Sequence, residues 1–356
     1  MQILRGKSAW GVEMSPAIVW FVPVSRIKEG LGVILEDSGF FQRTKPKKKL
    51  GIKVHFGEEG NNNHLDPDFV RIAALRAVKH DLQPVVIETT SLYRGRRQRA
   101  SEHLKLAKEH GFTIERTLVP IEILDGEFGE RYYTVEVQSP QVSRAFLAQG
   151  LRFIRYLINL THFKGHFVCG FGGAIKNLAM GLAAKAGKLA MHSSSKPYVE
   201  ESKCASCGTC VDYCPHDAID FFQYVARIGK ACTGCGSCVA VCPYGAIRLK
   251  WDEASESVQK KMADYCLAVL TNRQAIHFNF AINITPNCDC NTKTERPIMP
   301  DIGLFASFDP VACDQAVLDR TQEKLKELYP NLNPEIVLER GEEIGLGTRR
   351  YELKGL

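Results

Sequence analysis

No apolar run in this 356-residue sequence approaches the roughly 20 residues that cross a bilayer, and the 17–24 stretch is strand-sized and broken by Pro23. No succession of basic, apolar and small residues marks an export signal, so a cytoplasmic protein without a membrane partner is expected. Charge of one sign is scarce as well. Lys and Arg number 46 against 40 Asp and Glu, a net +6 that is thin for a nucleic-acid surface. Aromatic interleaving and nucleic-acid motifs are missing too, so no nucleic-acid partner is expected. Two phosphate-binding signatures are also absent. Nothing fits G-x4-G-K-[ST], and Gly170, Gly172 and Gly173 have the wrong spacing for G-x-G-x-x-G. What remains is a globular composition, 45% hydrophobic and 24% charged, long enough for two ordinary domains or one large one with an insert.

Cysteine, by contrast, is plentiful. Eight of the 13 fall in two copies of C-x2-C-x2-C-x3-C-P: Cys204, Cys207, Cys210, Cys214 with Pro215, then Cys232, Cys235, Cys238, Cys242 with Pro243. Bacterial ferredoxins hold cubane clusters with this run. A [4Fe–4S] cube needs four thiolates, three from one tight loop and the fourth from a more distant point, which in two-cluster ferredoxins is the other motif. The expected ligand sets are therefore Cys204, Cys207 and Cys210 with Cys242, and Cys232, Cys235 and Cys238 with Cys214. The two copies also match outside their cysteines, which marks an internal duplication. Gly208 and Gly236 stand at equivalent places, where backbone N–H groups must approach sulfur. Disulfides are disfavoured without export. Structural zinc takes two C-x2-C pairs or a Cys/His mixture, not a third cysteine in register followed by C-P. Two [4Fe–4S] clusters are expected, with a redox partner protein to exchange electrons with them.

Outside this segment, strand-like and helix-like patterns alternate. Apolar runs suit strands at 18–24, 50–56, 84–89, 153–160, 276–284 and 302–306. Helical spacing recurs near 26–37, 67–80, 97–110, 141–148, 174–186, 256–270 and 311–327. The alternation predicts an α/β fold, a largely parallel sheet core flanked by helices. The expected organisation is an N-terminal extension over 1–13 and the first part of the core over 14–194. An inserted α+β two-[4Fe–4S] ferredoxin-like module follows over 195–250, and the second part of the core over 251–356.

Ligands of open α/β sheets bind beyond the carboxyl ends of the strands. There this sequence places acids, bases, thiols and cations. Lys53 and His55 share one strand face. Glu88 and an arginine cluster (Arg94, Arg96, Arg97, Arg99) follow the third strand-like run. His162, Lys164 and His166 pack ionisable groups into alternate positions. Gly172 and Gly173 open the next helix, whose N-terminus and dipole suit an anion, with Lys176 nearby. Cys288-Asp289-Cys290 leaves three readings open: ligands of an additional metal, a strained redox disulfide, or packed and inert thiols. Cys266 sits on an amphipathic helical pattern and reads as core.

Taken in order, KVHFGEEGN (53–61), LYRGRR (92–97), THFKGH (161–166), GFGGAIKNLAMG (170–181), CDC (288–290), DIG (301–303) and DPVACDQA (309–316) resemble the family catalogued as domain of unknown function 362. The resemblance runs from about Ile18 to Leu353. It implies an α/β core with its own task, often fused to or interrupted by a ferredoxin module that wires electrons to it. Cys313 stands where the family pattern suggests an apolar residue and receives no role. The leading expectation is a cytoplasmic iron–sulfur oxidoreductase acting on an anionic small molecule. His55, His162, Lys164 and His166 would move protons; Lys53, Arg97, Lys176, Gly172 and Gly173 would hold the anion; Cys288 and Cys290 would be redox thiols or metal ligands. Two alternatives stand beside it: an electron carrier without chemistry of its own, and a metal- or cofactor-handling protein with redox-sensing clusters.

Overall fold

A computed structural model of the chain describes residues 15–93, 95–192, 196–232, 234, 236–250 and 254–356. The expected 1–13 extension, Arg94, Cys235 and the first residue of the expected 195–250 module lie outside them. The strands, in chain order, are β1 (Ala17–Pro23), β2 (Lys49–Lys53), β3 (Gln83–Glu88), β4 (Ile121–Ile123), β5 (Tyr132–Glu136), β6 (Arg144–Ala148), β7 (Tyr156–His162) and β8 (Lys164–His166). There follow β9 (Gly170–Gly172), β10 (Tyr198–Val199), β11 (Ile219–Phe222), β12 (Val225–Ile228), β13 (Ile247–Arg248), β14 (Gln274–Ala281), β15 (Gly303–Ser307) and β16 (Tyr351–Gly355).

One 8-stranded sheet carries the fold, in the order β16-β1-β15-β14-β7-β2-β3-β4. Every neighbouring pair is parallel except the two that involve β15, which runs against β1 and β14. The fold is thus mixed α/β with a large, mostly parallel sheet flanked by helices. Period-two alternation sorts its side chains into two cores. Ile52, Ile158, Phe278 and Leu304 join one cluster with the helices Ile27–Asp37 and Pro67–Lys79. Ile87, Leu157 and Phe305 join the other with Ala174–Leu182, Ser255–Leu270 and Pro310–Leu328. Asp66 caps Pro67–Lys79 as expected, its carboxylate accepting from the Asp68 N–H. Among the described residues, no helix is long and apolar enough to cross a membrane.

Two local expectations need correction, and one strand was not foreseen. The 141–148 helix is absent; β6 forms there and pairs antiparallel with β5. Ala145 and Leu147 are buried between an exposed Arg144 and a half-buried Phe146, a period-two arrangement that outweighs the helix propensity of Ala and Leu. The expected 174–186 helix stops at Leu182, because Ala183 bridges to Leu147 in extended backbone, and a second helix, Lys185–His192, starts afresh. The parallel edge strand β16 was not expected; its residues are mostly exposed and carry no apolar run.

Between β9 and β14 the main sheet is interrupted by the cysteine-rich segment. It has its own apolar cluster around Cys210, Ile219, Ala226, Cys238, Val239 and Ile247. The β11–β12 hairpin and two short helices, Thr209–Asp212 and Ser237–Val241, build it, while β10 and β13 pair across its ends.

Candidate functional site

Two knots of buried charge sit at the carboxyl ends of the parallel strands. In the first, Lys53 at the end of β2 is completely buried and meets Glu88, the last residue of β3, at 2.7 Å. The other Glu88 oxygen accepts from Arg97 at 3.1 Å. Arg97 also reaches the Tyr93 hydroxyl, 2.9 Å, and Nε2 of His55, 2.8 Å, while its Nε donates to His103 at 3.2 Å. Nδ1 of His55 accepts from the Gly57 N–H at 3.0 Å, so both of its ring nitrogens face donors. Burial, then the cations Arg97 and Lys164, hold the His55 pKa well below the ordinary histidine value. Burial likewise lowers that of Lys53 against the pull of Glu88.

A buried polar layer supports this knot beneath the Ala174–Leu182 helix. Asn177 accepts from Lys53 at 2.8 Å and donates to Asn159, to the Leu160 carbonyl and to Thr161. Asn159 in turn donates to the Ala174 carbonyl at 3.1 Å and contacts His277 of β14.

The second knot lies around the loop after β14. Asp289, fully buried, receives His162 Nδ1 at 2.8 Å and Lys164 Nζ at 2.9 Å. Burial works to raise its pKa, but His162 and Lys164 overcome this and keep it well below the usual carboxylate range. Nε2 of His162 faces the carbonyls of Ile282 and Asn283 at 3.0 Å, so neither ring nitrogen is left over. Cys288 and Cys290 flank Asp289 and are joined to each other as a disulfide. Lys176 points Nζ at Cys288 Sγ, 3.7 Å away, and has no carboxylate partner among the described residues. Burial, then Lys164, lowers its pKa to about 8. Gly172 pairs with Lys164 across β8 and β9, and a Cβ there would lie 3.4 Å from Lys176 and 3.7 Å from Lys164.

The expected anion site at the Ala174–Leu182 N-terminus is already filled. The Asp314 carboxylate accepts from the N–H of Ala174 at 2.6 Å and of Ile175 at 3.1 Å, and from Asn279 at 2.7 Å. Gly173 has no side chain because a Cβ would collide with that carboxylate. The dipole and N–H groups are satisfied from within the chain, so the anion-binding role expected there is corrected.

In the cysteine-rich segment the thiols line two cavities. One is bounded by Cys204, Cys207, Cys210 and Cys242; the other by Cys214, Cys232 and Cys238. The sets cross between the two motifs. Gly208 and Gly236 adopt φ of 78° and 72° at the starts of the two short helices, a region open to glycine without strain. Backbone N–H groups of Ala218, Gly234 and Ala246 point at the sulfurs of Cys214, Cys232 and Cys242 at 3.2–3.4 Å. Among the described residues, no group of three or more His, Cys, Asp or Glu converges tightly enough to hold a single metal ion. The thiols surround space rather than a point.

A profile described as "Domain of unknown function (DUF362)" matches residues 50–319, spanning both knots and the cysteine-rich segment. The chain belongs to the DUF362 family. No protein of curated function matches this DUF362 chain. Among solved structures it is similar to a Thermotoga maritima protein, at 14% identity and a TM-score of 0.42, covering 86% of this chain and 59% of that one. It is also similar to the lactate racemase apoprotein of Thermoanaerobacterium thermosaccharolyticum, at 13% identity and a TM-score of 0.36, covering 78% of this chain and 54% of the other. This DUF362 chain therefore matches less than two thirds of either length.

Of the residues singled out in the sequence, Lys53, His55 and Arg97 meet in the first knot, and His162, Lys164, Lys176, Gly172, Cys288 and Cys290 meet in the second. His166 belongs to neither; its Nδ1 accepts from the N–H of Val168 and Cys169 at 3.2 Å. Arg97 directs its donors into the protein. The sequence reading passed over Asn159, Asn177, Asp314 and His103. The first two carried a usable signal, being polar residues inside an otherwise apolar strand and helix.

Proposed function

We propose that this protein is an iron–sulfur oxidoreductase in which the cysteine-rich segment, a ferredoxin-like module inserted in the α/β core, holds two [4Fe–4S] clusters. The observation that carries the reading is the pair of cysteine-lined cavities, whose linings follow the crossed ligand pattern of two-cluster ferredoxins. Cys204, Cys207, Cys210 and Cys242 would hold one cluster; Cys214, Cys232, Cys235 and Cys238 would hold the other. When bound, such clusters supply single-electron transfer at potentials set by hydrogen bonds to sulfur and by exposure. The N–H groups of Ala218, Gly234 and Ala246 are donors of that kind.

The segment leans on the core where the charged knots lie. The Gly236 loop packs against Leu92 and Lys185, and the Lys185 ammonium donates to the Gln98 carbonyl beside Arg97. Tyr132 of the core meets His216 at 3.0 Å. Lys164 and Lys176, with Gly172 between them, are the groups that would bind an anionic small molecule, because among the described residues no carboxylate lies within ion-pair distance of Lys176 and Asp289 attracts it only at longer range. His55, whose ring nitrogens both face donors and whose pKa is held down by burial and Arg97, is set against taking up a proton and would instead anchor Arg97. His162 and Asp289 would position Lys164.

Anaerobic reconstitution with iron and sulfide tests the reading. Two cubanes' worth of iron and two interacting paramagnetic signals on reduction are expected. Cys214→Ser should remove the signal of the cluster shared with Cys232 and Cys238 and spare the other, and Cys242→Ser should do the reverse. Loss of both clusters together in either variant, or iron sufficient for one cubane only, would sink the assignment.

A further inference from the structure

We propose that Cys288 and Cys290 form a reversible dithiol–disulfide centre that exchanges two electrons with low-molecular-weight thiols, with Lys176 receiving the charge of the departing Cys288 sulfur. The inference goes beyond the iron–sulfur reading and does not depend on it.

Four features of the second knot carry it. The backbone between the two cysteines is pinned: Asp289 is clamped by His162 and Lys164, so the sulfurs stay opposed with Cα atoms 5.1 Å apart. The two sulfurs are unequal, since Cys288 is only 5% exposed while Cys290 is half-buried and open to attack. Among the described residues donors converge on Cys288 Sγ and not on Cys290 Sγ, from Lys176 at 3.7 Å and the Cys290 N–H at 3.3 Å. Among the described residues no carboxylate lies within ion-pair distance of Lys176, and Asp289, already held by His162 and Lys164, attracts it only at longer range. By contrast Cys169, Cys266 and Cys313 are buried free thiols, each pushed up in pKa by desolvation, which suits inert packing.

The chemistry follows from that asymmetry. A thiolate RS⁻ attacks Cys290 Sγ; the new S–S bond to Cys290 forms as the Cys288–Cys290 bond breaks. Cys288 leaves as a thiolate beside the Lys176 ammonium. A second RS⁻ then attacks the sulfur of the bound R group, forming RSSR and freeing Cys290. Two thiols lose two electrons, the protein disulfide gains them, and the two protons released by RSH end on the cysteines. Exchange is faster when the leaving thiol is the stabilised anion.

The peptide 274–293, bounded by Arg273 and Lys293 as tryptic sites, contains Cys288 and Cys290 and no other cysteine. Folded protein, with or without iron, is equilibrated in reduced and oxidised glutathione, acid-quenched, alkylated and digested. The two thiols should appear together at one midpoint, and early quenching of the unaltered protein should catch glutathione on Cys290. Lys176→Met should slow opening by about tenfold or more, and Lys176→Arg should restore it. Glutathione on Cys288, opening of Lys176→Met at the unaltered rate, or a disulfide that yields only on unfolding would overturn the proposal. So would stoichiometric metal lost in the Cys288→Ser/Cys290→Ser variant. Because the readout is confined to this peptide, missing clusters would sink the iron–sulfur reading and leave this one standing.

Discussion

Removing the charge of Glu88 should expose how the first knot is held together. Glu88 is 2% exposed and stands 2.7 Å from Lys53 and 3.1 Å from Arg97, while among the described residues the only other acid within reach of Arg97 is Glu58 at 3.8 Å. At an effective dielectric of about 20, each close pair is worth roughly 5–6 kcal/mol of gross attraction. Relief of the desolvation penalty of the carboxylate offsets much of this. The usual net cost of orphaning a buried charge is about 3–5 kcal/mol. Two cations share this carboxylate, so Glu88→Gln should fall in that range, a drop of about 5 °C in melting temperature for a chain this long. Glu88→Gln combined with Lys53→Met should recover at least about half of the loss, because one uncompensated charge then disappears. Thermal and urea unfolding followed by circular dichroism would measure both. A loss below about 1 kcal/mol for Glu88→Gln, or no recovery in the double variant, would show that water reaches the knot.

Asp314 supplies a pH signature. Burial raises its folded pKa to about 6 despite its N–H donors, so the folded state keeps a proton that the unfolded chain loses near pH 4. Its contribution is complete below that point and is lost as pH rises through 6, a swing of about 3 kcal/mol. Melting curves of Asp314→Asn should therefore gain on the unaltered protein by that amount between pH 4 and 7, and a constant gap would refute the linkage. Gly173→Ala should cost about 1–3 kcal/mol by driving a methyl group into the Asp314 carboxylate, a loss that equilibrium unfolding would read. Cys169, Cys266 and Cys313 should resist iodoacetamide in the native state, judged by peptide mass, and labelling of any of them at the rate of an exposed thiol would contradict their burial.

What could be read from the sequence was the information written within short spans. Six of the eight main-sheet strands follow from apolar runs, and the cysteine spacings are likewise complete within a few residues. The alternation of His162, Lys164 and His166 exposed part of the second knot for the same reason. Long-range partners left no such trace. Asp314 lies 140 residues from the helix it caps, so Gly172 and Gly173 read as an open anion site when the anion was already supplied. Nothing near Asp289 in the chain announces its pairing with His162, 127 residues earlier. The 141–148 error has a different origin. Ala and Leu favour helices in isolation, yet the exposed Arg144 and buried Ala145 and Leu147 obey the period of the hairpin they join.

The short ladder between β10 and β13 brings Tyr198 opposite Arg248 and Val199 opposite Ile247. Paired strands lie about 5 Å apart, so the chain leaves and rejoins the core through one narrow neck. A genetic deletion or acquisition of everything between those points would leave two ends that a residue or two could join. The main sheet takes no strand from that span, and its eight strands would keep their neighbours. Lineages could exchange one such attachment for another, or discard it, without refolding the domain that bears the charged knots.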